Sequence, residues 1–170
     1  RAMGGSGNRG HLAIDLDCVV NRGLSWVIAQ IDARANDGTD EERQYRQAMR
    51  ICCAAVIDWA ARYAAAAEEA ATKAAAPIAA LHRRVAAACR HVPAHPARNL
   101  FEGLQAIALA QLAIAIEGHV LSVSIGLPDR ALSRFADELP HEQAVELIGA
   151  FMLKIHSNSV LGSGSKTQAI

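Results

Sequence analysis

Between Leu100 and Glu117 the chain reads LFEGLQAIALAQLAIAIE, and this stretch restricts the possible folds more than any other. Leu100, Leu104, Ile107, Leu109, Leu112, Ile114 and Ile116 point around most of a helix's circumference. A helix apolar nearly all round has to lie inside a fold or under a partner, because each Leu or Ile left in water forgoes about 1.5–3 kcal/mol of burial. Asn99 and Glu102 supply a capping pattern at its start, and Gly118 a stop at its end. Gln111 interrupts the apolar run, which is too short to cross a bilayer. With no secretory signal legible, a cytoplasmic protein that does not touch membranes is expected.

The flanking sequence predicts more helices. Val20, Leu24, Val27, Ile28 and Ile31 recur at helical spacing, so one helix is expected from about Leu16 to Ala35. Asn36-Asp37-Gly38 is a turn, and Thr39 with Glu42 forms a capping box. A long helix follows over about 40–75. Its residues Tyr45, Met49, Cys52, Val56, Trp59 and Tyr63 alternate spacings of four and three, which predicts one apolar stripe with Trp59 facing the core. Pro77 forces a break near Ala76. Ile78, Leu81, Val85, Cys89 and Val92 trace the next stripe, which Pro93 and Pro96 end. Val120–Ile125 alternates like a strand, Pro128-Asp129 reads as a turn, and a last helix near Pro140 carries Val145, Ile148, Phe151, Met152 and Ile155. The expected fold is therefore mainly α: long antiparallel helices, bundle-like, with at most a short extended segment near 120–125.

Composition narrows the function classes. The 170 residues suit one domain. Net charge is zero, so no basic footprint for nucleic acid is present. Much of the hydrophobic content is alanine, which favours helices and lets them pack closely. Cys18, Cys52, Cys53 and Cys89 form no CxxC pair, which speaks against a zinc site or a disulfide framework. His82, His91 and His95 could hold a metal only if folding brought them together, and His91 and His95 stand across Pro93, which is not helical spacing, so no metal is expected. Ser and His invite a hydrolase reading, but no Gly-x-Ser-x-Gly elbow is present. Glu69 and Lys73 form an i,i+4 pair on a solvated face.

Five segments, in order over about 150 residues, resemble the pyruvate formate-lyase-type domain of the glycyl radical enzymes. GHLAIDLDCVVNRGL is similar to that family's "GHxxxDYxKVLxxGL" through Gly10, His11, Asp15, Val19, Gly23 and Leu24. ARYAAAAEEAA resembles "RYAxxAxxxA". VPAHPARNLFEGLQ resembles "VPxxPPxTFxEALQ" through Val92, Pro93, Pro96, Phe101, Glu102, Leu104 and Gln105. IEGHVLSVSIGLPD is similar to "IExxGHSxSxGRxDQ", and AVELIGAFMLKI to "AxELLxxxxIK". The division this implies is a tag-like or disordered lead-in over 1–9, a partial domain of this type over 10–158, and a flexible tail over 159–170.

In the family a backbone glycyl radical passes to a cysteine, which takes a hydrogen atom from substrate. The resemblance implies that His11 and Ser122 match substrate-binding positions, and a histidine there points to the diol or hydroxyl dehydratase branch. His exchanges protons near neutral pH, and Ser offers one donor and two lone pairs. Without the resemblance, His11 would be an exposed loop histidine and Ser122 the polar face of a strand.

Departures are equally legible. Gly126-Leu127-Pro128-Asp129-Arg130 lacks the family's arginine, and Ala108, Ala110 and Gln111 replace aromatic residues. The Gly-Cys-Val-Glu motif and the radical glycine loop are absent from the 170 residues. The resemblance thus implies a fragment or truncated relative of a bacterial glycyl radical lyase or dehydratase. It carries no catalytic residue of its own, needs no cofactor and is catalytically silent alone. The other expectation is a non-enzymatic binding or self-association module derived from that fold. Expected partners are a second copy, most simply a dimer covering the apolar helix at 100–117, or the missing remainder of such an enzyme.

Overall fold

Helices make up most of the computed structural model, which describes residues 11–118 and 122–158. The lead-in expected over 1–9, the tail expected over 159–170 and His119 lie outside the described residues. The elements run β1 (His11–Ala13), a π-helical segment (Asp17–Arg22), α1 (Leu24–Asp32), α2 (Asp40–Lys73), α3 (Ala76–His91), α4 (Leu100–Gly118), β2 (Ser122–Ser124), α5 (Pro128–Leu132), a 3-10 turn (Ser133–Phe135) and α6 (His141–Asn158). The mainly helical class follows the periodicities, and β2 falls inside the expected extended segment. Strand β1 was not legible: three residues are too few to show alternation.

The single helix expected over about 16–35 is two elements, because Gly23 breaks it with a φ of +79°. Asp15 caps the first: its Oδ1 accepts from Cys18 N (3.0 Å) and its carbonyl from Val19 N (3.1 Å). Gly23 has no side chain to cap the second. The chain solves this at long range. Leu24 N donates to the carbonyl of Pro93 (2.8 Å) and Ser25 N to that of Ala94 (2.9 Å), so the proline loop satisfies first-turn amides of α1. Ala97 N returns a bond to the Val20 carbonyl (2.8 Å). A Cβ on residue 23 would stand 2.5 Å from the Ala94 carbonyl oxygen and 2.8 Å from His95 Cα, so only glycine permits this approach.

Helix α2 begins at the expected capping box: Glu42 N donates to Thr39 Oγ1 and Thr39 N to Glu42 Oε2 (2.8 Å). A two-residue extended connection, Ala74-Ala75, folds α3 back along it. The buried face of α2 differs from the expected stripe. Ala60, Ala64, Ala67 and Ala71 are buried and pack against α3, where Ala79, Ala86 and Cys89 are buried. Tyr45, Met49, Cys52 and Tyr63 are exposed and Val56 is half-buried, whereas Trp59, also half-buried, faces the core as expected and packs against the cluster of Ala60, Ala64, Ala67, Ala86, Cys89 and Leu109. The reason is size: an alanine row lets two helices approach closely, leaving the large residues of the neighbouring row on the flank. The α3 stripe shifts likewise, with Ile78 and Leu81 exposed but Cys89 and Val92 buried.

Helix α4 is the centre of the main core, and this chain itself covers its first three turns. Leu100, Leu104, Ala106 and Ile107 pack with Val19 and Val20 of the π-helical segment, Ala131 of α5, Phe135 and Phe151 of α6. The cover expected from a second copy is therefore intramolecular over these turns; Ile116 at the far end is exposed. Gly103, in place of the alanine in the resembled pattern, makes room for Leu132, whose Cδ2 stands 2.5 Å from where a Cβ would be. Pro128-Asp129 opens α5 rather than forming a turn. Helix α6 buries Phe151 and leaves Val145, Ile148 and Met152 exposed, again offset from the expected face.

The N-terminus of α4 is tied on three sides. Glu102 N donates to Asn99 Oδ1 (2.9 Å), half of the expected capping pattern. Glu102 itself is buried, and its carboxylate accepts from Arg98 N (2.8 Å) and Arg98 Nε (3.1 Å) instead of from Asn99. Glu138 Oε2 accepts from Leu100 N (2.7 Å), and the Arg134 guanidinium donates to the Ala97 carbonyl.

Two stability outcomes follow. Gly23→Ala should cost about 2–4 kcal/mol, combining a strained positive φ with backbone overlap, and is read as a lower urea midpoint at unchanged slope. Burial pushes the Glu102 carboxyl up, but the hydrogen bonds and charge of Arg98 pull it further down, to a net value below the ordinary range. A carboxyl depressed on folding stabilises fully above its unfolded pKa, and the contribution is lost as pH falls through the folded value. Glu102→Gln should therefore cost about 1–2 kcal/mol at neutral pH, the exposed Arg98 side chain limiting the effect, and the gap from wild type should narrow below about pH 4.3. Urea unfolding of both proteins across that range checks it.

Candidate functional site

Strands β1 and β2 lie 111 residues apart and pair in parallel, in the register His11↔Ser122, Leu12↔Val123 and Ala13↔Ser124. The two residues singled out by resemblance are thus Cα partners. Ile14 N extends the ladder to the Ser124 carbonyl (3.3 Å). Parallel strands require a crossover, and here the crossover is the whole succession from the π-helical segment through α4. The clasp between Gly23 and the proline loop fixes the start of that crossover against its middle. Packing of the first turns of α4 on the π-helical segment orients the helix that leads towards β2.

The immediate surroundings are built from local bonds. Ser124 Oγ accepts from Gly126 N (3.2 Å), which commits that hydroxyl to the turn after β2. Gly126 takes a φ of +68°, and a Cβ there would lie 3.2 Å from the Ile14 carbonyl oxygen, so the turn and β1 sit close together. Leu127, where the resembled pattern has arginine, is 61% exposed. Asp15, also matched by the resemblance, is a helix cap and its carboxylate is engaged as such.

Other candidates resolve into structure. His91 Nε2 lies 2.9 Å from the Pro96 carbonyl, and its ring centroid is 5.3 Å from that of His95, so these histidines brace the proline loop. Among the described residues no group of three or more His, Cys, Asp or Glu side chains is placed to hold a metal. Glu69 and Lys73 form the expected exposed pair (2.6 Å).

All four cysteines are free. Burial pushes Cys89 up to about 11, burial and then Asp15 raise Cys18, and burial and then Cys52 raise Cys53, so these three are protonated thiols at neutral pH. A broad open cleft of about 910 Å³ lies beside the α4 N-terminus, lined by Ala97, Arg98, Asn99, Arg134, Phe135, Asp137 and Glu138. None of its residues belongs to β1 or β2. Arg98, Arg134 and Glu138 already satisfy the bonds that hold α4 in place.

Comparison with known proteins agrees with this geometry. The Pyruvate formate lyase-like family profile matches residues 4–168. An isethionate sulfite-lyase of Desulfovibrio desulfuricans is 28% identical over 149 residues, 79% of this chain and 18% of that protein. A glycyl radical enzyme from Archaeoglobus fulgidus superposes with a TM-score of 0.77 at 26% identity, over 89% of this chain and 21% of that one. A structure describing 1,2-propanediol dehydration in Roseburia inulinivorans gives a TM-score of 0.76 at 26% identity, over 88% and 19%. The chain therefore spans about a fifth of the length of these relatives. No helix of the described residues is long and apolar enough to cross a membrane. By sequence profile and by fold, the chain belongs to the pyruvate formate lyase-like family.

Proposed function

We propose that residues 10–158 form one wall of the substrate chamber of a glycyl radical lyase or dehydratase, with His11 and Ser122 as substrate contacts. The observation that carries this reading is the register: two residues matched separately, one at each end of the helical crossover, are strand partners. Adjacent strands run about 4.8 Å apart, so one small hydroxylated molecule can reach both positions. The substrate class that fits is a short compound with a hydroxyl beside a leaving group. The names of the relatives support it, since one is a sulfite-lyase of isethionate and another describes dehydration of 1,2-propanediol.

In this reading the 170 residues abstract no hydrogen atom by themselves. They contain neither the Gly-Cys-Val-Glu motif nor the radical glycine loop, and their cysteines lie in other contexts. The remainder of the enzyme supplies both, in the cytoplasm. One observation favours the alternative of a non-enzymatic module: Leu127 stands exposed where the resembled pattern keeps an arginine.

Two measurements test the reading. Titrating the chain with isethionate and with 1,2-propanediol should shift backbone NMR signals at 11–13 and 122–126. Ser122→Ala should weaken binding about 2–10-fold, the worth of one neutral hydrogen bond. Shifts confined to the cleft at Arg98 and Glu138 would refute the assignment of the site. With an activase and S-adenosylmethionine under anaerobic conditions, electron paramagnetic resonance should detect no glycyl radical on this chain, and a signal would end the claim of silence.

A further inference from the structure

Strand β2 carries a second serine on the face of position 122. Side chains alternate along a strand, so positions 11, 13, 122 and 124 share one face of the pair, and 12 and 123 the other. The first face holds His, Ala, Ser and Ser, the second Leu and Val. A molecule that meets the pair at positions 11 and 122 therefore meets position 124 from the same side. Ser124 and its strand partner Ala13 are both exposed, and a methyl group is too short to cover a neighbouring hydroxyl. Ser124 is also held at three points. It pairs with Ala13, its carbonyl accepts from Ile14 N (3.3 Å), and its Oγ accepts from Gly126 N (3.2 Å). The last bond decides what the hydroxyl can do. A serine hydroxyl has one proton and two lone pairs, and a backbone N–H can only donate. Gly126 thus occupies a lone pair and fixes the oxygen, while among the described residues no acceptor takes the proton.

We infer that Ser124 is a further substrate contact, donating its O–H to a hydroxyl oxygen of the molecule held at β1 and β2. This role rests on the strand pair being the substrate wall, and it adds the residue that fixes the ligand along β2. The turn holds the oxygen before anything binds, so little ordering is left to oppose binding. Positions 122 and 124 stand about 6.6 Å apart along the strand. Hydrogen bonds of about 2.8 Å at each end let a three-carbon diol bridge that span. Charge points to an uncharged oxygen at this position. Residues 11–16 and 122–129 contain Asp15 and Asp129 and no Lys or Arg, and Leu127 stands exposed where the resembled pattern has arginine. A neutral hydroxyl needs only a donor such as Ser124, whereas an anionic oxygen placed here would lack a cation from this wall.

Two substitutions in the whole chain test the contact. Ser124→Ala removes the hydroxyl, and Ser124→Thr keeps both its donor and its acceptor. Titration with 1,2-propanediol, followed by backbone NMR at 11–13 and 122–126, gives the dissociation constant. It should rise about 2–10-fold in Ser124→Ala and stay within about two-fold of wild type in Ser124→Thr. Hydrogen exchange of the Ile14 amide, which bonds to the Ser124 carbonyl, reports the strand register and should be unchanged in both variants. Wild-type binding at the strands that Ser124→Ala leaves equally tight would overturn the inference while the wall assignment stands. So would a loss in Ser124→Ala that Ser124→Thr does not restore, or one accompanied by lost protection at Ile14, since either assigns Ser124 to the turn alone. No shift at the strands in the wild type would overturn the wall assignment and this contact together.

Discussion

The close approach of the proline loop to Gly23 is the constraint on which the remaining structure depends. α1 starts on a residue that cannot cap it, and its first amides are satisfied by Pro93 and Ala94, some seventy positions further along the chain. That exchange costs nothing in side-chain ordering, because every group involved is backbone. It also cannot be made unless residue 23 lacks a Cβ. The consequence is positional. The π-helical segment, α1 and the segment leading into α4 become one rigid corner, and Val19 and Val20 are presented to α4 as the floor of the core.

The strand pair depends on that corner. Two parallel strands of three residues have too few ladder bonds to hold themselves together, and parallel sheets normally need helices over them. Here β1 leads directly into the corner through Ile14 and Leu16, both buried, and α4 leads towards β2. Any shift of α4 along the π-helical segment would slide Ser122 away from His11. The ties at the α4 N-terminus, through Arg98, Glu102, Glu138 and Arg134, are thus part of what holds the register, although they stand far from it along the helix.

Much of this was legible in the sequence, and the limits were physical. The capping box at Thr39, the proline breaks and the burial of Ile107 follow from local chemistry and came through unchanged. Which row of α2 is buried did not, because hydrophobicity ranks Tyr, Met and Trp above Ala, whereas helix-on-helix packing rewards the smallest side chains. The split at Gly23 was hidden because a glycine inside an apolar period is tolerated in many helices, and only the long-range partner reveals its role. Strand β1 was too short to carry a period. His11 and Ser122 were singled out by resemblance alone; nothing in spacing or composition pairs residues so far apart. The loss of arginine at Leu127 was visible in the sequence, and the structure adds that the leucine is exposed.

Helix α6 shows the same division of faces as α2, and the comparison explains why core-face assignments fail together. Ala144, Leu147, Phe151 and Ile155 turn towards α4, while Val145, Ile148 and Met152 turn outward. Both sets recur at helical spacing, so each taken alone reads as a core stripe. A helix apolar over two adjoining faces is built for two neighbours, and periodicity cannot tell which neighbour lies within a given set of residues. Gly149 stands between the outward residues with open space in front of it, so nothing among the described residues fills that side. In α2 and α6 alike, one of two apolar rows meets α3 or α4 inside the chain, and most of the other row is exposed among the described residues.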